Sequence, residues 1–286
     1  MANLKLREAH EQFKDFLKSQ NKSNSTIVAY AKDIDQLISF LETLKKNLVH
    51  EVNKEDIEGY VVYMSKNGLN IKSQSRKLNS TRTFYRFLKS KGHITEDPSI
   101  LVEHPKYDLG QPRVLTPTEY RALRDATRKD VRVYAIIEIL LQTGIRIAEL
   151  AELRLADVLP NELIINAVGK HEQRRVPLNK AAKEALNNYL KKRPEIKDDH
   201  VFVTKTGRPF LIRNIRTSVE RFFRMAEIKN ATINDLRNTF IAHHLKHGVT
   251  LATLSKLVGH KRLSTTERYF KYIQDREKET DHLTEL

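Results

Sequence analysis

The sequence predicts a mainly α-helical protein with a small antiparallel sheet, arranged as two domains. Three observations lead there. Apolar residues recur at three- and four-residue steps over the first hundred positions, as one face of a helix requires. A stretch punctuated by Pro98, Pro105, Gly110, Pro112 and Pro117 then loses that periodicity. Further on, two short β-prone runs flank a turn that begins at Gly169.

Taken in order, Phe13, Phe16 and Leu17 mark a first helix. Ile27, Tyr30, Ile34, Leu37, Ile38 and Leu41 mark a second, with Ser25 as its expected N-cap. A third helix fits Asn53 to Ser65, capped by Asn53, and a fourth runs from about Ile71 to Lys91 and stops at Gly92. Residues 1–104 are therefore read as a helical domain, 105–113 as an extended linker, and 114–286 as the second domain with a polar C-terminal tail. Thr116-Pro117 opens that second domain with a cap and a proline at the first helical position. Val131 to Thr143 reads as a buried helix, Ala148 to Leu153 as a short one. Glu162 to Val168 and Arg174 to Leu178 form the expected hairpin, Val201 to Thr204 a possible third strand, and helices fill the chain after Leu211.

Composition narrows the function. The 51 Lys and Arg against 36 Asp and Glu leave a net charge of +15, which attracts polyanions. The absence of cysteine excludes disulfides, thiolate chemistry and Cys-ligated metal. No apolar signal core opens the chain, and the most apolar run, Val133 to Ile147, is interrupted by Glu138 and Arg146. The expectation is a soluble cytoplasmic protein with no membrane contact.

Charge is unevenly distributed. From Lys66 to Thr95 there are eight Lys and Arg and no acid, so Lys72, Arg76, Lys77, Arg82 and Arg86 are candidate DNA contacts. A solvated helix face is the competing account. Lys205 and Arg208, in the turn TKTGR, and Arg213 on the following helix are further candidates. His243 and His247 stand four apart, but no acidic third ligand lies near, so packing is the better account and no metal is expected. No phosphate-binding loop, HExxH or GxSxG motif is present.

What remains is a set of basic residues at unusual positions. Arg146 ends an apolar helix, Lys170 sits in the hairpin turn, Arg237 lies on a helix opened by Thr232, His260 follows Gly259, and Tyr269 follows the cap residues Ser264 to Thr266. Singly, each is most simply a surface ion pair or a packing residue. Their order is more informative. The segments TGIRIAELAEL (143–153), VGKHEQRRVPL (168–178), INDLRNTF (233–240), LVGHKRL (257–263) and STTERYFKY (264–272) resemble, in order and spacing, the signature boxes of the tyrosine recombinase or phage integrase family. Xer-like and transposon-encoded site-specific recombinases belong to it. The resemblance spans about residues 114–273, with a looser likeness of the first domain to the family's SAM-like core-binding domain.

The resemblance implies a two-domain clamp, a helical core-binding domain plus an α/β catalytic domain, acting on double-stranded DNA with a specific recombination site. It implies a homo-tetramer on two sites, no cofactor, and a covalent 3′-phosphotyrosyl intermediate. Carried over by position, the catalytic arginines fall on Arg146 and Arg237, the hairpin lysine on Lys170, the His/Trp position on His260 and the nucleophile on Tyr269. Glu149 and Asp157 are expected to pair with basic neighbours and help hold Arg146. Where the family usually has a histidine three residues before the second arginine, this chain has Asn234, which cannot shuttle a proton. The role is open among dimer resolution, cointegrate resolution and integration or excision, with or without accessory proteins; the lack of a domain before residue 1 favours the resolution systems. Two other readings compete: a type IB topoisomerase-like enzyme, and a catalytically weakened DNA-binding accessory protein.

The residue chemistry agrees. In-line attack on a phosphodiester builds charge on the non-bridging oxygens, which two permanently charged guanidiniums can clamp. A lysine can protonate the leaving 5′-oxygen. A phenol of ordinary pKa near 10 needs such a cationic site to act as nucleophile.

Overall fold

A computed structural model describes residues 3–108, 110–167 and 172–281; for Lys271 and residues 274–281 it describes only the backbone. Lys170 and its turn lie outside the described residues. The chain divides into two compact units, Met1–Leu109 and Gly110–Leu286. Among the described residues no helix is long and apolar enough to cross a membrane.

The first unit holds α1 (Leu6–Ser19), α2 (Asn24–Thr43), α3 (Lys54–Lys66) and α4 (Ile71–Ser90). On α1 the buried positions Leu6, Ala9, Phe13 and Leu17 follow the helical period. Phe13 meets Phe84 of α4 edge-on, with ring centroids 5.3 Å apart. The start of α2 falls earlier than expected: Ser23, not Ser25, is the cap, and its hydroxyl accepts from the Thr26 amide. Asn53 caps α3 as expected, and Asp56 answers through a reciprocal bond to the Asn53 amide at 2.8 Å.

The basic run on α4 departs from its sequence reading. Asp33 of α2 is 2% exposed and collects Arg76, Lys77 at 2.8 Å and the Ser80 hydroxyl at 2.8 Å. Lys77 is itself buried, so it does not face DNA; its charge compensates Asp33. Arg82 also turns inward, donating to the Ser99 and Val102 carbonyls at 3.3 and 2.7 Å. Arg76 is half exposed but shares the same carboxylate. Lys72 and Arg86 do face solvent.

The second unit contains α5 (Pro117–Thr127), α6 (Val131–Thr143), α7 (Ile147–Ala151), β1 (Glu162–Ile165), β2 (Arg174–Pro177), α8 (Lys180–Leu190), α9 (Ile212–Met225), α10 (Ile233–Lys246), α11 (Leu251–Val258) and α12 (Ser264–Asp281). Thr116 caps α5 with Pro117 in the first turn, as expected. Helix α6 is the centre of this core, packed against α8 and α10. Its Ile136, Ile137, Ile139 and Leu140 are almost fully buried, each worth about 1.5–3 kcal/mol relative to exposure. Its one buried acid, Glu138, is compensated by Arg124 of α5.

Strands β1 and β2 pair antiparallel, with Leu163 opposite Val176 and Ile165 opposite Arg174. Strand β1 ends at Ile165, sooner than expected, and the Asn166 side chain that follows bonds Asp157 and Gln173. Val201 to Thr204 does not form a third strand. Val203 makes one bridge, to Pro209, whose missing N–H cannot extend a ladder. The turn expected at Thr204 to Arg208 does form, closed by a 2.7 Å bond from the Thr204 amide to the Arg208 carbonyl.

Candidate active site

Two helix ends closed by left-handed glycines bring the site together. Helix α6 ends on Gly144 at φ 63°, where an added Cβ would collide with the Phe240 ring of α10. The two residues that follow deliver Arg146 to the N-cap of α7, its amide bonded to Glu149 at 2.7 Å. Helix α11 ends on Gly259 at φ 69°, which leaves its last carbonyls pointing toward the arginines.

Those carbonyls are where the cations meet. Arg237 donates to the Gly144 carbonyl and, at 2.7 Å, to Val258. Arg146 donates to Gly259 at 2.6 Å and to Glu149 at 2.9 Å. A third arginine, Arg174 of β2, grips both oxygens of Glu149 at 2.9 and 2.7 Å and reaches the Leu257 carbonyl at 2.8 Å. A helix C-terminus carries partial negative charge, so it suits a cationic cluster.

Glu149 thus holds Arg146 as expected. Asp157 does not: its oxygens accept from the Arg154 amide and Asn166, closing a short 3-10 turn. Arg174 was not anticipated, although a signal for it exists. The period-2 register puts it on the same face as buried Val176, and an inward-facing arginine needs a charged partner.

Tyr269 of α12 is 9% exposed, and its ring lies 6.4 Å from that of His260 at an interplanar angle of 19°. The His260 Nδ1 and the Thr266 hydroxyl are 2.8 Å apart. The Tyr269 hydroxyl donates to Asn238 Oδ1 at 2.7 Å. Sequence reasoning missed Asn238, because only the packing of α12 on α10 reveals it. Asn234 lies exposed in the first turn of α10. Lys205, Arg208 and Arg213 are all exposed.

Electrostatics follow from this crowding. Burial, then the charge of Arg146, lowers the pKa of Arg237 to about 9, which still leaves it protonated at neutral pH. Burial raises the Tyr269 phenol above its ordinary value, and Arg237 and Arg268 oppose that rise without cancelling it. Burial alone would raise Glu149, but Arg174, the Arg146 amide and both arginine charges override it and hold the carboxyl at about 2. An open cleft of about 600 Å³ lies alongside, lined in part by Arg174, Lys256, His260 and Lys261.

The histidine pair carries no metal geometry: the His247 ring nitrogen lies 2.7 Å from the His243 carbonyl oxygen. Among the described residues one group has metal-compatible spacing, Asp198, Asp199 and His200. Its members are already engaged, Asp198 with His200 and Asp199 with Arg154.

Comparison with known proteins decides the family. The phage integrase family model matches residues 113–275, and the phage integrase N-terminal SAM-like domain model matches residues 10–92. The chain belongs to the phage integrase family. It is a tyrosine site-specific recombinase. It is 30% identical to tyrosine recombinase XerD of Listeria monocytogenes over 273 residues, covering 91% of this chain and 92% of that one. Its fold is similar to a lambda integrase fragment solved as a dimer bound to a COC′ core site, with a TM-score of 0.77, 16% identity, and coverage of 92% and 97%. A lambda integrase tetramer bound to a Holliday junction is similar at a TM-score of 0.75 and 17% identity, covering 91% of this recombinase and 78% of that chain.

Proposed function

We propose that this recombinase cuts and rejoins duplex DNA at a specific site with Tyr269 as nucleophile, Arg146 and Arg237 as the phosphate clamp, Lys170 as general acid and His260 as a phosphate ligand. The observation that carries this reading is the convergence of Arg146 and Arg237 on the Val258 and Gly259 carbonyls, with the charge of Arg237 acting on the Tyr269 phenol. The Tyr269 oxygen releases its phenol proton to solvent and attacks phosphorus, the bond to the 5′-oxygen breaks, and Lys170 supplies that oxygen with a proton. The two arginines balance charge growing on the non-bridging oxygens. Return attack by a 5′-hydroxyl reverses the step and releases the tyrosine. Asn234 orients without taking a proton, since an amide is no base near neutral pH.

In this reading residues 1–104 form the core-binding domain, 105–113 the linker and 114–286 the catalytic domain. Exposed Lys72, Arg86, Lys205, Arg208 and Arg213 contact the DNA backbone. Four protomers assemble on two sites in the cytoplasm, as the tetrameric lambda integrase on a junction suggests.

The test is a suicide duplex nicked near the cleavage point of the cognate site. Wild type accumulates a covalent adduct, Tyr269→Phe accumulates none, and Arg237→Lys forms it at least about 100-fold more slowly, because a point charge does not replace a bidentate fork. An adduct that survives Tyr269→Phe would overturn the assignment.

A further inference from the structure

The hydroxyl of Tyr269 is held by an amide whose own orientation is fixed twice over. Asn238 Oδ1 accepts from the phenol at 2.7 Å, while its Nδ2 donates to Asp235 Oδ1 at 2.9 Å and to the Arg113 carbonyl at 3.2 Å. With both acceptors facing Nδ2, the amide cannot flip without losing them, so oxygen is what it presents to the phenol. Asp235 is 5% exposed and is itself pinned, its second oxygen accepting from the Thr232 amide at 2.7 Å and hydroxyl at 2.9 Å. The N-cap of α10 is thereby tied through Asp235 and Asn238 to the candidate nucleophile.

An amide oxygen accepts a hydrogen bond but does not take the proton. It therefore favours the neutral phenol over the phenolate. We propose that Asn238 is a positioning residue that holds Tyr269 aimed and protonated until a DNA phosphate arrives and replaces the amide as its hydrogen-bond partner. This rests on the reading of Tyr269 as nucleophile and adds to it a resting state. The groups facing the phenol are Arg237 and Asp235 from α10, Arg268 from its own helix, and the His260 ring from the segment after α11. Arg237 and Arg268 favour ionisation, Asp235 opposes it, and the amide adds to the opposing side.

The experiment titrates the DNA-free full-length chain carrying 13Cζ-tyrosine by NMR, with the Tyr269 signal assigned from its loss in Tyr269→Phe. Asn238→Ala removes the acceptor, so the Tyr269 pKa falls by about one unit. The rising limb of adduct formation against pH moves down with it, while the plateau rate drops about 10-fold through lost aim. Asn238→Leu keeps the bulk but likewise lacks the acceptor, so the same downward shifts appear; it also serves if the alanine variant does not fold. Asn238→His restores an acceptor and recovers most of the plateau rate. An unmoved Tyr269 pKa and pH profile in both Ala and Leu variants, with only a uniform loss of rate, would overturn the proposal and leave Asn238 a packing residue. A nucleophile other than Tyr269 is detected separately, by an adduct in Tyr269→Phe.

Discussion

Glu149 shows what one carboxylate does when two guanidiniums depend on it. It is 6% exposed, and both its oxygens are shared between Arg174, Arg146 and the Arg146 amide. Its folded pKa of about 2 lies below the ordinary 4.5, so its contribution to stability is fully present above pH 4.5 and is lost as pH falls toward 2. The shift of about 2.5 units corresponds to on the order of 3 kcal/mol. Urea titrations at pH 7 and pH 3 should therefore differ in wild type by on the order of 2 kcal/mol more than in Glu149→Gln, because pH 3 still lies above the folded pKa and part of the contribution survives there. At pH 7 that variant should itself be about 3 kcal/mol less stable, because two largely buried arginines lose their counter-charge. Asn234 gives a second residue-scale expectation. Asn234→His should keep or raise the rate of adduct formation on the suicide duplex; abolished cleavage would mean that position 234 does not occupy the proton-handling place.

Helix α4 is where sequence reading and structure part company, and the reason is physical. Counting charge along the chain identifies a basic helix but ignores its phase. Lys77 sits four residues before Thr81 and seven before Phe84, both buried, so the helical period already turned it inward. Its partner Asp33 lies 44 residues earlier, and no local pattern connects them. Asp33→Ala should cost about 3–5 kcal/mol in urea unfolding, since it strands the Lys77 charge in the core. Lys72→Ala and Arg86→Ala should change stability by less than about 0.5 kcal/mol yet weaken DNA binding. Helix α6, by contrast, was legible to the residue, because a strongly apolar run with Glu138 its one acid, set between an aspartate cap and a glycine stop, leaves few alternatives. The order of the boxes picked out Arg146, Arg237, His260 and Tyr269 as candidates, while Arg174 and Asn238 needed the packing of β2 on α11 and of α12 on α10.

For the whole molecule, a net charge of +15 with exposed cations on α4, α9 and the 204–208 turn makes DNA affinity depend on released counterions. Log affinity should fall linearly with log salt, with a slope of about −0.9 for each phosphate neutralised. Lys72→Ala, Arg86→Ala and Arg213→Ala should each flatten that slope by about one, as fluorescence anisotropy on a labelled duplex would measure. A salt-independent affinity would contradict phosphate-dominated binding.

The carbonyls of Leu257, Val258 and Gly259 are main-chain atoms, and no point mutation deletes them. The cationic cluster is therefore anchored to something evolution cannot substitute one residue at a time. Leu257 and Val258 are free to exchange for other apolar residues that fill the same space. Gly259 is not, since a Cβ there would sit 3.0 Å from Arg174 and 3.3 Å from Arg146 on a backbone already at φ 69°. A saturation library across these three positions should tolerate diversity at the first two and return glycine at the third.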